Sequence, residues 1–344
     1  MRFQLYPDYS PQRFQAVDSL RGLAAVFVLL YHLVLHFDQQ FGFTHWQAPE
    51  WMELFRYGPH VFFMISGFVI FLTIDRMKDA KSFMIARLIR LIPVFWVVLL
   101  IASVVRVAWG PFTGHVELLD VFVNALFLQG LTDRMHIDGA YWTLLVEMTF
   151  YALSAIFIYL LGLGNRITWL LFGWSVVSFV GMLKWGTWDF PMDIFFAELM
   201  ISRYSMFFVV GVLMYLSIKN GQLNWPQRLI MSYSIGIMLL AHPLWIGFTL
   251  NMAALVLWFA IKGRLDWLLC YKPLLWLGAL SYPLYLIHQN VGITLMTHLR
   301  DAGISDAWTL TAAIALSLVL AQALYTLVEV PSRRYLRSRY LPKH

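Results

Sequence analysis

Apolar residues in this chain come in long unbroken runs, not in the alternating or one-faced patterns of soluble strands and helices. Runs long enough to span a bilayer as helices fall at 20–37, 58–75, 87–108, 141–162, 167–183, 203–218, 227–242, 244–261, 273–297 and 307–329. Only His242-Pro243 divides 227–242 from 244–261, so that pair predicts a helical hairpin with almost no loop. The piece at 119–131 is too short to cross and predicts an interfacial or re-entrant helix. Ten crossings return the chain to the side on which it started. The pattern predicts an all-α, polytopic membrane protein with both termini cytoplasmic. It forms a single domain over 1–344, with a cytoplasmic N-terminal segment at 1–17 and a basic cytoplasmic tail at 332–344.

Composition agrees: 60% of residues are hydrophobic and 13% charged, with mean hydropathy +0.68. The formal charge of +6 would point to nucleic acid in a soluble protein. Here the basic residues sit between apolar runs, where they set orientation. With the N-terminus inside, nineteen of the 25 Lys and Arg residues face the cytoplasm. The reading is therefore a multi-pass protein of the cytoplasmic (inner) membrane, with no nucleic-acid partner. Loops 38–57, 109–140 and 184–202 then face outward and carry Trp46, Trp51, Trp109, Trp142, Trp185 and Trp188, which read as an interfacial belt. The single cysteine, Cys270, excludes an intrachain disulfide. No small-residue cleavage site follows the first span, which reads as a retained signal anchor.

Ionisable residues inside the apolar runs are the candidates for chemistry, because each is costly there. In 18–36, Arg21 and His32 are eleven positions apart, which puts them on one helical face about 16 Å from each other. His32 then falls near mid-membrane, as a functional base or as a neutral side chain bonded to a neighbouring helix. Asp18 and Ser19 precede Arg21 as helix caps, with Asp18 also a partner for it. His36 lies one turn beyond His32, an i, i+4 pair without a third ligand for a metal. Ser66-Gly67 sits mid-way along the second span, as a close-packing site or as a gap for a ligand chain with Ser66 in contact. Arg87 and Arg90 share a face at the cytoplasmic entrance to the third span. They serve topology, or with Arg21 form a cationic mouth that grips phosphate. Glu147 enters the fourth span from outside, and contact with His32 is geometrically open to it. In the ninth span Pro283 breaks the backbone ladder beside Ser281, Tyr282, Tyr285 and His288. Glu329 reads as the neutralising partner of Arg21 or Arg334.

Taken in order, these residues resemble the acyltransferase-3 family of integral-membrane O-acyltransferases, over about residues 14 to 335. Its arginine-ten-residues-histidine signature falls on Arg21 and His32, and its paired arginines on Arg87 and Arg90. The Phe-Phe-Met-Ile-Ser-Gly-Phe segment, Trp142 to Glu147, Ser281 to His288 and Glu329-Val-Pro are similar to its pattern as well. The resemblance implies ten spans, a cytosolic acyl-CoA donor (usually acetyl-CoA) and a hydroxyl acceptor, often on a cell-envelope sugar. Many members carry a fused extracytoplasmic esterase-like domain, and this chain reads as a stand-alone form. Acyl transfer needs a base and a grip on the CoA phosphates. The expected roles are His32 as general base with Glu147 orienting it, and Arg21, Arg87, Arg90, Ser66 and Tyr282 on the donor, with no metal. An acyl-histidine relay remains open, as do the acceptor (O-antigen, exopolysaccharide, peptidoglycan, lipid-linked or macrolide sugar), the acyl length and the oligomeric state. The competing classes are a proton-coupled transporter using the intramembrane His and Glu, and a scaffolding membrane protein.

Overall fold

The computed structural model describes residues 14–77, 79–111, 116–132, 134–183 and 195–341. Lys78, Trp185, Trp188, most of the N-terminal segment and the last three residues of the tail lie outside them. Among the described residues there are helices and no strand. Each apolar run coincides with one helix: α1 (Gln15–Phe41), α2 (Glu50–Ile74) and α3 (Ala80–Ala108), then α5 (Gly139–Leu160) after the short α4 (Leu118–Ala125). The chain continues through α6 (Ile167–Leu183), α7 (Ser205–Asn220), α8 (Trp225–Leu240), α9 (Leu244–Ile261), α10 (Lys272–Asp301) and α11 (Asp306–Tyr340). Six of them (α1, α2, α3, α5, α9 and α11) are long and apolar enough to cross a membrane. α10 has the length, 30 residues, but buries Ser281, His288, Gln289, Asn290, Thr294 and Thr297.

The bundle is organised around two close helix crossings. α1 lies against α10, where a Cβ on Gly22 would strike the backbone of Leu277 and Gly278. α2 lies against α7, where one on Gly67 would strike Phe208 and one on Gly211 would strike Met64. Close packing at small residues, not a gap for a ligand, is therefore what Gly67 provides. Around that second crossing Phe63, Phe68, Phe150, Phe207 and Phe208 form an aromatic core. Two carboxylates pin the loop after α1: Asp38 accepts from the amides of Phe43 and Ala48, Asp306 from those of Thr44 and His45.

Several local expectations change. α1 begins at Gln15, so Asp18 and Ser19 lie inside the helix and are not caps. Asp18 pairs with Arg21 at 3.3 Å, and Ser19 donates to the Leu269 carbonyl at 2.7 Å. α3 begins at Ala80, which sets Arg87 two turns into the helix instead of at its entrance. α10 runs unbroken through Pro283, because losing one donor does not end a helix whose other bonds are made and whose sides are packed. Trp46, Trp51 and Trp109 are exposed as a belt requires, but Trp142 turns inward. The α8–α9 hairpin closes at His242-Pro243 as expected, with Gly247 against the backbone of Leu239.

Candidate active site

The candidate residues line two adjoining cavities along the bundle, an inner and an outer one. The inner one is formed by the first turns of α1 and α3, the middle of α2 and α5, and the first half of α10. It is narrow, about 60 Å³, and lined by Arg21, Ser66, Arg87, Arg90, Glu147 and Tyr282 among others. Arg21 donates from Nε to Ser281 Oγ at 2.8 Å and from Nη2 to the Gly278 carbonyl at 3.2 Å. Arg87 is buried. Its Nη2 donates to Thr73 Oγ1 at 2.7 Å, and its guanidinium lies 5.7 and 5.9 Å from the ring centroids of Phe83 and Tyr151. Arg90 lines the same space with no hydrogen bond or ion pair among the described residues. Glu147 accepts from Ser66 Oγ at 2.9 Å and from the Tyr151 hydroxyl. Counting Asp18, which pairs with Arg21, three guanidinium groups meet two carboxylates, so this cavity keeps a net positive charge of one. Tyr282 borders it while donating to the Leu91 carbonyl at 2.7 Å.

The outer cavity is larger, about 740 Å³, within the range of small-molecule sites. It lies between the last turns of α1, the first turns of α2, α5 and α7, and the α8–α9 hairpin. His32, His36, Arg56, His60, Trp142 and Tyr204 are among its walls. His32 and His36 occupy a π-helical turn over Tyr31–His36, a widened geometry that recurs at functional sites. Pro59 and Tyr285 border both cavities, so the two are separated by little more than these side chains. The Tyr285 hydroxyl accepts from Thr143 Oγ1 at 2.9 Å and donates to the Ala140 carbonyl at 3.1 Å, which holds the ring at this junction.

The site residues thus divide. Arg21, Arg87, Arg90, Ser66, Tyr282 and Glu147 come together in the inner cavity, and His32 stands in the outer one. Glu147 is not the partner of His32: its Oε1 accepts from both Ser66 and Tyr151 one cavity away. The partner is His288 on α10, whose Nε2 lies 3.0 Å from His32 Nδ1. Glu329 makes its direct ion pair with Arg333 at 3.5 Å, one turn along its own helix, and acts on Arg21 only through longer-range electrostatic attraction. Sequence reasoning marked His288 only as a polar group near Pro283, since an interhelical contact across 256 positions leaves no trace in spacing.

Asp138, in the sequence one acid among several of an outward loop, has a structural role that was not foreseen. It is buried just ahead of α5, where Oδ1 accepts from the Ala140 amide at 2.8 Å and Oδ2 from the Asn290 amide at 3.1 Å. Asn290 donates back to the Ile137 carbonyl at 2.7 Å, so this clasp fastens the start of α5 to α10 two residues past His288. Burial pushes the Asp138 carboxyl up to about 6, against the pull of both amides and of Arg106. The signal was an Asp directly before Gly-Ala-Tyr-Trp, the pattern of a capping residue.

A protein family described as an acyltransferase domain matches residues 14–326. The chain belongs to the acyltransferase-3 family. It is also similar to a protein of Acidianus two-tailed virus named "Putative acetyltransferase ORF330", 24% identical over 297 residues, which cover 82% of this chain and 83% of that one. No solved structure matches. With its apolar helices, the chain is a multi-pass membrane acyltransferase, and the transporter and scaffold readings fall away.

Proposed function

We propose that the protein moves an acyl group, acetyl in the first instance, from cytosolic acyl-CoA to a hydroxyl of a cell-envelope carbohydrate. The observation that carries this reading is the placement of His32 in a chamber of ligand size, one side chain away from a cavity lined by three arginines. Guanidinium groups bind phosphate through paired hydrogen bonds. In this reading Arg21, Arg87 and Arg90 hold the CoA phosphates, and the pantetheine arm passes Ser66 and Tyr282 toward Tyr285. The space beside these residues, about 60 Å³, holds a few waters at most, so the arm enters by displacing side chains such as Tyr282. The acceptor hydroxyl approaches through the outer chamber, whose walls include the aromatic side chains of Trp142 and Tyr204.

His32 takes the hydroxyl proton as the oxygen attacks the thioester carbon. The C–O bond forms, the C–S bond breaks, and the departing thiolate receives the proton from the imidazolium. Glu147 balances the arginines of the donor cavity instead of orienting the base. The protein's place is the cytoplasmic membrane, with the arginine cavity toward the cytosol as the excess of basic residues on that side requires.

The test is transfer of label from [14C]acetyl-CoA to envelope glycan in membranes containing the wild type, His32→Ala, or the double variant Arg87→Ala with Arg90→Ala. His32→Ala is expected to lose at least about 100-fold in rate at equal folded protein, as removal of a general base does. The arginine variant is expected to raise the KM for acetyl-CoA more than it lowers kcat. Unchanged labelling by His32→Ala would remove the assignment of the base.

A further inference from the structure

Each of the two α1 residues that define the site is backed by a residue of α10. Arg21 donates to Ser281, and His32 meets His288, seven positions further along the same helix. His288 is fully buried, lines neither cavity, and has both ring nitrogens engaged. Any buried histidine needs partners for its ring nitrogens; what sets this one apart is the direction of its hydrogen bonds.

Carbonyl oxygens only accept hydrogen bonds. His288 Nδ1 lies 3.1 Å from the Leu284 carbonyl, so Nδ1 carries the hydrogen and Nε2 of the neutral ring presents a lone pair. That lone pair faces His32 Nδ1 at 3.0 Å, and His32 Nδ1 also lies 3.0 Å from the Val28 carbonyl. Both neighbours of His32 Nδ1 are acceptors, so this nitrogen too carries its hydrogen. The reverse assignment would set a bare His32 Nδ1 against the Val28 oxygen. The second nitrogen of His32, Nε2, is then left without a hydrogen, on the ring that borders the outer chamber.

We infer that His288 is the positioning residue for His32, fixing the tautomer that bares Nε2 to the acceptor hydroxyl and accepting from Nδ1–H when the imidazolium forms. This rests on the proposed role of His32 as base. The hydroxyl proton moves to His32 Nε2 and leaves from it to the thiolate. His288 remains neutral throughout and never touches substrate. The arrangement fills the place that a carboxylate holds behind the histidine of a catalytic triad. It uses a neutral acceptor that suits a site flanked by apolar helices, where an unpaired buried charge would be costly.

Two measurements on the full-length chain in nanodiscs test it. The first is kinetic, with [14C]acetyl-CoA and envelope glycan of the expressing cells as acceptor. His288→Ala is expected to lower kcat about 100-fold with the KM for acetyl-CoA within twofold. His288→Gln, whose amide oxygen reaches the place of Nε2, is expected to recover to within about tenfold of the wild type. The second is 15N NMR of imidazole-labelled protein, assigned with His32→Ala. It is expected to show hydrogen on Nδ1 of His32 in the wild type and a mixture of tautomers in His288→Ala. A kcat for His288→Ala within threefold of the wild type, a glutamine variant no better than alanine, or a wild-type His32 with hydrogen on Nε2 would each overturn the inference. Should His288→Ala not fold, the wild-type tautomer and the glutamine variant still decide it. The NMR reading needs no turnover, so it also separates failure of this inference from failure of the acyl-transfer reading, which would leave the tautomer intact and the labelling absent.

Discussion

At the residue scale, the chemistry turns on which partner each buried polar group finds. An ionisable side chain among apolar helices is stabilised only by specific hydrogen bonds. Glu147 finds Ser66 and Tyr151, and His32 finds His288. Glu147→Gln is accordingly expected to act on the donor side. It should raise the KM for acetyl-CoA or change it in step with the arginine variants, and leave the tautomer of His32 untouched in the NMR measurement. A change in that tautomer would restore Glu147 as its orienting group. The candidates themselves were legible in the sequence, because charge inside an apolar run is conspicuous wherever the run folds. Their pairing was not. Arg21 and His32 share a helix and could be related by spacing, whereas His32 and His288 are related only by the crossing of α1 over α10.

At the element scale, small residues and one buried carboxylate set the geometry on which the site depends. Gly211 sits where any Cβ meets the backbone of Met64 and Gly67, and backbone cannot rotate aside. Gly211→Ala is expected to cost about 1–3 kcal/mol by overpacking, read as a lower thermal midpoint in detergent, with His32 chemistry lost only in proportion to folded protein. Asp138 gives a prediction with a sign in pH. Burial holds its carboxyl at about 6 in the folded chain, against about 3.9 in the unfolded one. Between these values the folded state binds the proton more tightly. This group's contribution is therefore most favourable below about pH 4, falls as pH rises to about 6, and costs about 3 kcal/mol above that. The difference in thermal midpoint between wild type and Asp138→Asn should decline over that window, and a flat difference would place the carboxyl outside the folding linkage. Helix positions were legible, since run length is a local property, although α2 begins at Glu50, before its run at 58–75, and α11 continues to Tyr340, past its run at 307–329. Helix starts were less so: α1 and α3 extend upstream of their apolar runs, which moved Asp18, Arg87 and Arg90 from the helix ends into the helices.

At the scale of the whole molecule, two cavities succeed one another along the bundle and share Pro59 and Tyr285 in their walls. That layout suits a reaction whose donor and acceptor arrive from different sides of a membrane. It predicts sidedness. In a Cys270→Ser background, a cysteine at Trp51 should react with an impermeant maleimide added outside intact cells, and one at Lys262 only after the membrane is opened. The reverse labelling would invert the proposed direction of transfer. The sequence alone determined the class of fold, the helix positions and the identity of the polar residues. Each of these follows from local hydropathy and from the cost of charge in an apolar run. Which polar groups face one another was decided by tertiary structure, through the glycine crossings that bring α1 to α10 and α2 to α7. Contact between distant positions depends on the angle and depth of helix packing, and neither is written in the period of any single helix.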